Sequence, residues 1–282
     1  MRTVATRVEV AEVVRGWRET GESLAFVPTM GNLHHGHLRL MQEARRRAEH
    51  VVVSIFVNPA QFNDPRDFAA YPRTLEEDGV LLAEAGVDLL FAPAIEEIYP
   101  GGKRPRTRVE VPELSDLLCG AFRPGHFSGV ATVVAILLNV VRPDIAVFGD
   151  KDYQQQLIIC RMVEDLRFAV KIIGVETVRD PDGLALSSRN RYLTPAERSR
   201  APALYRTLTV LRHRLIAGDR DYAAVEAAGL RELTEAGLRP EYVSVRRADD
   251  LAPPGRGDFK LRLLAAAWLG DARLIDNVPV DL

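Results

Sequence analysis

Over roughly its first 175 residues the chain alternates short apolar or β-branched runs, each bounded by turn residues, with helix-length amphipathic stretches. Strands joined through helices run parallel, since a helical crossover returns the chain to start the next strand in the same direction. The alternation predicts strands over 24–27, 51–56, 88–92, 145–148 and about 170–173, with helices over 38–49, 75–85, 129–141 and 153–163. The implied fold is α/β, a Rossmann-like parallel sheet with helices on both faces. In such sheets ligands sit beyond the carboxyl ends of the strands, so the residues just after Val27, Phe56 and Phe148 carry the most functional weight. Beyond about Val178 the texture changes to a Ser-Ser-Arg-Asn turn, helical stretches over 195–217 and 222–236, and alternating segments near 242–245 and 261–275. This predicts two domains, 1–177 and a smaller α+β domain over 178–282, with 252–257 as a surface turn.

Composition narrows the partners. The 282 residues are 47% apolar and 27% charged, and 37 basic against 39 acidic side chains leave a formal charge of -2. No net field draws such a chain to nucleic acid or anionic lipid, so any bound anion must meet a local site. The clusters Arg45, Arg46, Arg47 and Arg104, Arg106, Arg108 read as solvated faces. Two cysteines, Cys119 and Cys160, are too few for a disulfide framework and lack CxxC spacing, so both read as unpaired, buried thiols. The apolar run over 130–141 is too short to cross a bilayer, and the first residues, with Arg2, Arg7, Glu9 and Glu12, contain no signal-peptide core. The cytoplasm is the expected compartment, with no membrane and no nucleic acid as partner.

The segment Phe26-Val-Pro-Thr-Met-Gly-Asn-Leu-His34-His35-Gly36-His37 runs from a strand through a turn into a helix. Main-chain N–H groups and the positive helix end favour an anion there, and Gly36 permits close approach. His34 and His37, three apart, reach the same side at a helix start. The helix end lowers their pKa values and a bound triphosphate raises them, leaving their charge state open. A packed or capping histidine is the plain alternative, and zinc is a weak one without a third ligand nearby. Neither GxxxxGK[ST] nor GxGxxG occurs, so no P-loop or dinucleotide fingerprint competes.

His34-His35-Gly36-His37 resembles the HxGH signature of nucleotidylyltransferases and class I aminoacyl-tRNA synthetases. Pro28-Thr-Met-Gly-Asn-Leu-His34, Val57-Asn-Pro-Ala-Gln-Phe62, Tyr71-Pro-Arg-Thr74, Arg123-Pro-Gly-His-Phe127, Phe148-Gly-Asp-Lys-Asp-Tyr-Gln-Gln155 and Ser187-Ser-Arg-Asn190 are similar, in that order, to the motifs of the pantothenate synthetase family. Arg273-Leu-Ile-Asp-Asn277 adds weaker support. His35 stands where the family commonly has an acid, and Asp150 where Glu is frequent.

The resemblance implies ATP-dependent condensation of pantoate with β-alanine through pantoyl adenylate, releasing AMP and pyrophosphate. It implies ATP and Mg²⁺ at the site, small-molecule substrates only, and a homodimer. Residues 1–177 become the nucleotide- and pantoate-binding domain and 178–282 the lid. His34, His37, Lys151 and Arg189 are the expected catalytic residues. ATP is expected against Met30, Gly31, Asn32, Leu33, His34, His35, Gly36, His37, Gly149, Asp150, Lys151, Asp152, Val178, Leu186, Ser187, Ser188 and Arg189. Gln61 and Gln155, with Asn58 and Arg123, are expected to hold pantoate and β-alanine, because amides suit a hydroxy acid. His126 belongs to the same loop as Arg123 without a chemical step of its own. Asp78, in Leu75-Glu-Glu-Asp78, is the candidate magnesium ligand, although Glu76, Glu77 and Asp78 also suit an acidic first helical turn. An AMP transfer that retains the nucleotide in the product, a synthetase relative acting on tRNA, and a non-catalytic nucleotide binder are the rival readings.

Overall fold

A computed structural model describes residues 1–102 and 104–282. Six strands, β1 (Arg2–Val4), β2 (Leu24–Thr29), β3 (His50–Ile55), β4 (Leu89–Phe91), β5 (Ile145–Gly149) and β6 (Lys171–Val175), form one parallel sheet in the order β1-β4-β3-β2-β5-β6. The chain builds outward from β2 through β3 to β4, then returns to the other side of β2 to lay down β5. The carboxyl ends of β2 and β5 therefore border the switch point of the sheet, where crossovers leave a crevice open.

Side-chain alternation along the strands feeds two cores. Leu24, Phe26, Val52, Leu89, Phe91, Ala146 and Phe148 face one side, packed with the helix His126–Val141. Ala25, Val27, Val51, Val53, Leu90 and Val147 face the other, with Met41 and Ala44 of the helix His35–Arg45. Strands covered on both faces need apolar residues at successive positions, which is why these runs read as continuous rather than alternating. The helix His126–Val141 is buried around most of its circumference, as its uninterrupted apolar sequence requires.

Strands β7 (Arg239–Arg247), β8 (Lys260–Leu269) and β9 (Ala272–Asp281) form a separate antiparallel sheet. Its outer face holds Leu204, Leu208, Leu211 and Leu215, one stripe of the helix Ala203–Ile216, and Val225 and Leu233 of the helix Tyr222–Glu235. Its inner face turns toward the parallel sheet, where Leu264 joins the first core with Tyr242 and Ile275 against it. The two free cysteines differ: Cys119 is buried and Cys160 only partly so.

Several predicted spans shift. The stretch 195–217 is two helices, Pro195–Arg200 and Ala203–Ile216, because Pro202 has no N–H with which to continue the first ladder. Segment 261–275 is a hairpin that reverses at Gly270-Asp271 between paired Leu269 and Ala272. Residues 1–23 carry no element predicted from sequence, yet hold β1 and the helix Arg7–Glu19, started by a reciprocal Thr6 and Glu9 cap.

Candidate active site

A cavity of about 240 Å³ opens at the switch point. Met30, His34, Gly36 and His37 reach it from the end of β2, Asn58 and Gln61 from the turn after β3, and Gly149, Lys151, Asp152 and Gln155 from the end of β5. Arg123 closes it from the loop before the helix His126–Val141, and Val178, Leu186, Ser187, Ser188 and Arg189 cover it from the strand-like loop after β6. Segments from 30 to 189 in sequence thus converge on one space.

The helix start is not organised as expected. Gly36 N–H donates to His34 Nδ1 (3.1 Å) and His34 N–H to His37 Nδ1 (3.3 Å), so the two imidazoles cap the helix reciprocally. The main-chain N–H groups of Asn32 and Leu33 are likewise committed, each donating at 2.8 Å to the buried carboxylate of Asp78. The Gly36 N–H of the first helical turn is therefore taken up by an imidazole. With Nδ1 accepting on both rings, the proton of each neutral imidazole is assigned to Nε2, and both residues line the cavity.

Burial pushes the His34 pKa down to about 4, helped by the Lys151 charge. The same cause, reinforced by His34, takes His37 down to about 3. Without nucleotide both rings are neutral donors at physiological pH. Gly36 serves this arrangement, because a Cβ there would lie 2.8 Å from His34 Cε1.

Asn58 is 1% exposed, with all four of its hydrogen-bonding positions met within the protein. Its Nδ2 donates to Gln61 Oε1 (2.9 Å) and to the Gly129 carbonyl (3.1 Å), and its Oδ1 accepts from Tyr99 OH (2.7 Å) and Ala60 N–H (3.2 Å). It has nothing left for a substrate. It orients Gln61, whose Nε2 donates to Met30 Sδ (3.1 Å) at the cavity wall.

His126 Nδ1–H donates to the Gln61 carbonyl (2.8 Å), while its Nε2 accepts from Arg123 Nη1 (3.2 Å). Burial, and next the Arg123 charge, hold the His126 pKa down to about 3, so the ring stays neutral and fixes Arg123 against the Gln61 turn. Burial, with Arg189 and Arg273 nearby, lowers the Arg123 pKa to about 10, which leaves it charged at neutral pH. Arg123, His126, Lys151, Asp152, Gln155, Ser187 and Arg189 also line a second cavity of about 400 Å³ lying against the inner face of β7, β8 and β9. The two spaces meet at these residues.

Some predicted residues lie off the cavity. Gly31, Asn32 and Leu33 form its outer scaffold, His35 is exposed to solvent, and the Asp150 side chain turns toward Gly174. Asp78 is 2% exposed, and both its oxygens are occupied by the Asn32 and Leu33 N–H groups and by Thr74 OH at 3.0 Å. It acts as the anchor of the turn after β2 and is poorly disposed to ligate magnesium. Among the described residues no group of three or more His, Cys, Asp or Glu converges on a metal position. The apolar wall of Val130, Val133, Val134 and Leu137 is not anticipated from sequence, and Tyr71, present there only as part of a motif without a role, is buried beneath the covering loop. A helix apolar on every side gives no signal of which face meets a ligand.

A family model described as Pantoate-beta-alanine ligase matches residues 2–279. The chain is 59% identical over 282 residues, 100% of its own length and 99% of the relative, to the pantothenate synthetase of Thioalkalivibrio sulfidiphilus. It is 54% identical, over the same shares, to that of Methylococcus capsulatus. A crystal structure of the pantothenate synthetase of Thermus thermophilus superposes with a TM-score of 0.91 at 49% identity, covering 99% of both chains. A pantoate-beta-alanine ligase of Francisella tularensis, complexed with beta-gamma ATP and beta-alanine, gives 0.83 at 35% identity over 99% of this chain and 97% of that one.

Proposed function

The chain belongs to the pantoate-beta-alanine ligase family, and from that premise we propose how its own residues divide the ATP-dependent joining of pantoate to β-alanine through pantoyl adenylate. The observation that carries the division is the meeting of neutral His34 and His37, cationic Lys151 and Arg189, and the amides Gln61 and Gln155 around one cavity at the β2/β5 switch point.

Pantoate is a hydroxy acid with a branched apolar centre. Gln61 and Gln155 hold its hydroxyl and carboxylate groups, Asn58 keeps Gln61 in the required orientation, and the Val130 to Leu137 face receives the methyl groups. A pantoate carboxylate oxygen attacks the α-phosphorus in line and pyrophosphate departs. The Nε2–H groups of His34 and His37 donate to the phosphoryl oxygens as charge develops, and Lys151 and Arg189 neutralise the departing pyrophosphate. Two neutral donors in a buried site need little reorganisation at the moment of reaction.

The neutral amine of β-alanine then attacks the acyl carbon and AMP leaves with the oxygen that bridged carbon and phosphorus. Arg123, on the wall shared by the two cavities, meets the β-alanine carboxylate. Ser187 starts a one-turn helix by accepting from Arg189 N–H (3.2 Å). Movement of this loop over the triphosphate excludes water from a hydrolysable adenylate. Mg²⁺ enters with ATP as part of that substrate, held by phosphate oxygens and water. A cytoplasmic homodimer completes the reading. No helix among the described residues is long and apolar enough to cross a membrane, and a solution mass near twice 31.3 kDa tests the dimer.

Exchange of labelled pyrophosphate into ATP tests the assignment. Exchange should require pantoate, fail with hydroxy acids lacking the branched centre, and precede any release of AMP, which β-alanine should trigger. Exchange without an acid, or AMP retained in the product, would overturn it.

A further inference from the structure

Asp276 and Asn277 are adjacent on β9, each 4% exposed, and as neighbours in a strand they point to opposite faces. Asn277 Nδ2 donates to the carbonyls of Asp150 (2.9 Å) and Lys151 (3.0 Å), the two peptide units that present Lys151 to the cavity. Asp276 grips Arg179 through both oxygens, at 2.6 and 2.8 Å, and its Oδ1 also accepts Asn277 N–H at 2.8 Å. Arg179 begins the loop that covers the cavity. It donates to the Gly183 carbonyl (3.1 Å), lies 3.7 Å over the Tyr205 ring, and bridges Ala185 across the base of the loop, just before Ser187, Ser188 and Arg189. One dipeptide of the C-terminal sheet thus holds the bases of both cationic arms, Lys151 from the parallel sheet and Arg189 from the covering loop.

We propose that Asp276 and Asn277 are positioning residues for adenylate formation, setting Lys151 and Arg189 in register across the triphosphate. The inference rests on Lys151 and Arg189 meeting the phosphates, as assigned above. A bidentate carboxylate to guanidinium pair with a stacked face has little angular freedom, and an amide bridging two successive carbonyls fixes the turn between them. Both arms act on pyrophosphate, which has gone before the amine attacks. Their misplacement therefore slows the first half-reaction and spares the second.

The test is to measure pantoate-dependent pyrophosphate exchange and, separately, aminolysis of presynthesised pantoyl adenylate by β-alanine, for Asn277→Ala, Arg179→Lys and Lys151→Ala. Asn277→Ala and Arg179→Lys should each lower exchange by about 10-fold or more, as an ångström-scale misplacement does, with aminolysis held within about 3-fold. Arg179→Lys keeps the charge and loses the fork, so it supplies the answer if Asn277→Ala does not fold. Exchange at the parent rate in these variants, or an equal fall in both half-reactions, overturns the positioning role. Exchange retained in Lys151→Ala instead overturns the assignment on which that role rests.

Discussion

The His34 and His37 rings lie 4.1 Å apart, tilted by 44°, and each Nδ1 accepts a main-chain N–H at the start of the same helix. The pair caps the helix through Nδ1 and keeps Nε2–H on each ring as a donor, so the structural role and the proposed catalytic role fall to opposite nitrogens of the same rings. Replacing His37 with alanine should lower pantoate-dependent exchange by about 10²-fold or more, the usual cost of losing one donor to a developing oxyanion. An unchanged exchange rate would remove His37 from the chemistry.

The depressed pKa values of His34, His37 and His126 predict acid sensitivity well above the carboxylate range. Each ring is neutral in the folded chain down to about pH 4 or 3, whereas in the unfolded chain it takes up a proton below about 6.5. The unfolded state then binds more protons, so stability is fully present above 6.5 and lost as pH falls through that window, by up to about 1.4 kcal/mol per pH unit for each ring. The thermal midpoint of the ligand-free protein should drop between pH 6.5 and 5. His126→Gln, which can still donate to Gln61 and accept from Arg123, should make the drop shallower. A midpoint flat across that range would contradict the neutral-ring account.

Asp78 separates two readings of one acid. Holding the turn after β2 through three hydrogen bonds, it should cost about 1.5–3 kcal/mol of stability when changed to Asn, since an amide group then faces the N–H donors. Lost activity should not return at high Mg²⁺. Recovery of the parent rate by raising Mg²⁺ would show a metal ligand instead.

Much of this site is legible in the sequence because the parallel sheet delivers it. The runs ending at Val27, Phe56 and Phe148 lead directly to the turns that line the cavity, and the residues after them are those with usable chemistry. What stays hidden is who uses the hydrogen-bonding capacity. Asn58 reads as a substrate ligand, yet is satisfied by Tyr99, 41 residues away, and Gly129, 71 residues away. Asp78 reads as a metal ligand, yet sits under a turn 46 residues before it. His34 and His37 read as facing an anion across free N–H groups with a capping histidine as the alternative, and a histidine cap has no common sequence signature to decide between the two. Local pattern fixes where a side chain can point, and long-range partners decide what it has left to give.

Gly129 shows the same dependence in the packing. A Cβ there would lie 2.4 Å from the Ala60 carbonyl oxygen and 2.9 Å from Gln61 N, so the helix His126–Val141 can approach the Gln61 turn only through glycine. Gly129→Ala should displace that turn at about 1–3 kcal/mol of strain. The KM for pantoate should rise roughly tenfold, the equivalent of about 1.4 kcal/mol, while the KM for ATP stays within about threefold. An equal rise in both would place the damage elsewhere.

In the proposed reaction the pantoate carboxylate itself attacks the α-phosphorus, and the amine later breaks the acyl carbon–oxygen bond. Pantoate labelled with oxygen-18 in both carboxylate oxygens, turned over with ATP and β-alanine, tests it most directly by mass spectrometry of the products. One labelled oxygen should appear in AMP for each pantothenate formed, and none in pyrophosphate. Unlabelled AMP, or label in pyrophosphate, would contradict it.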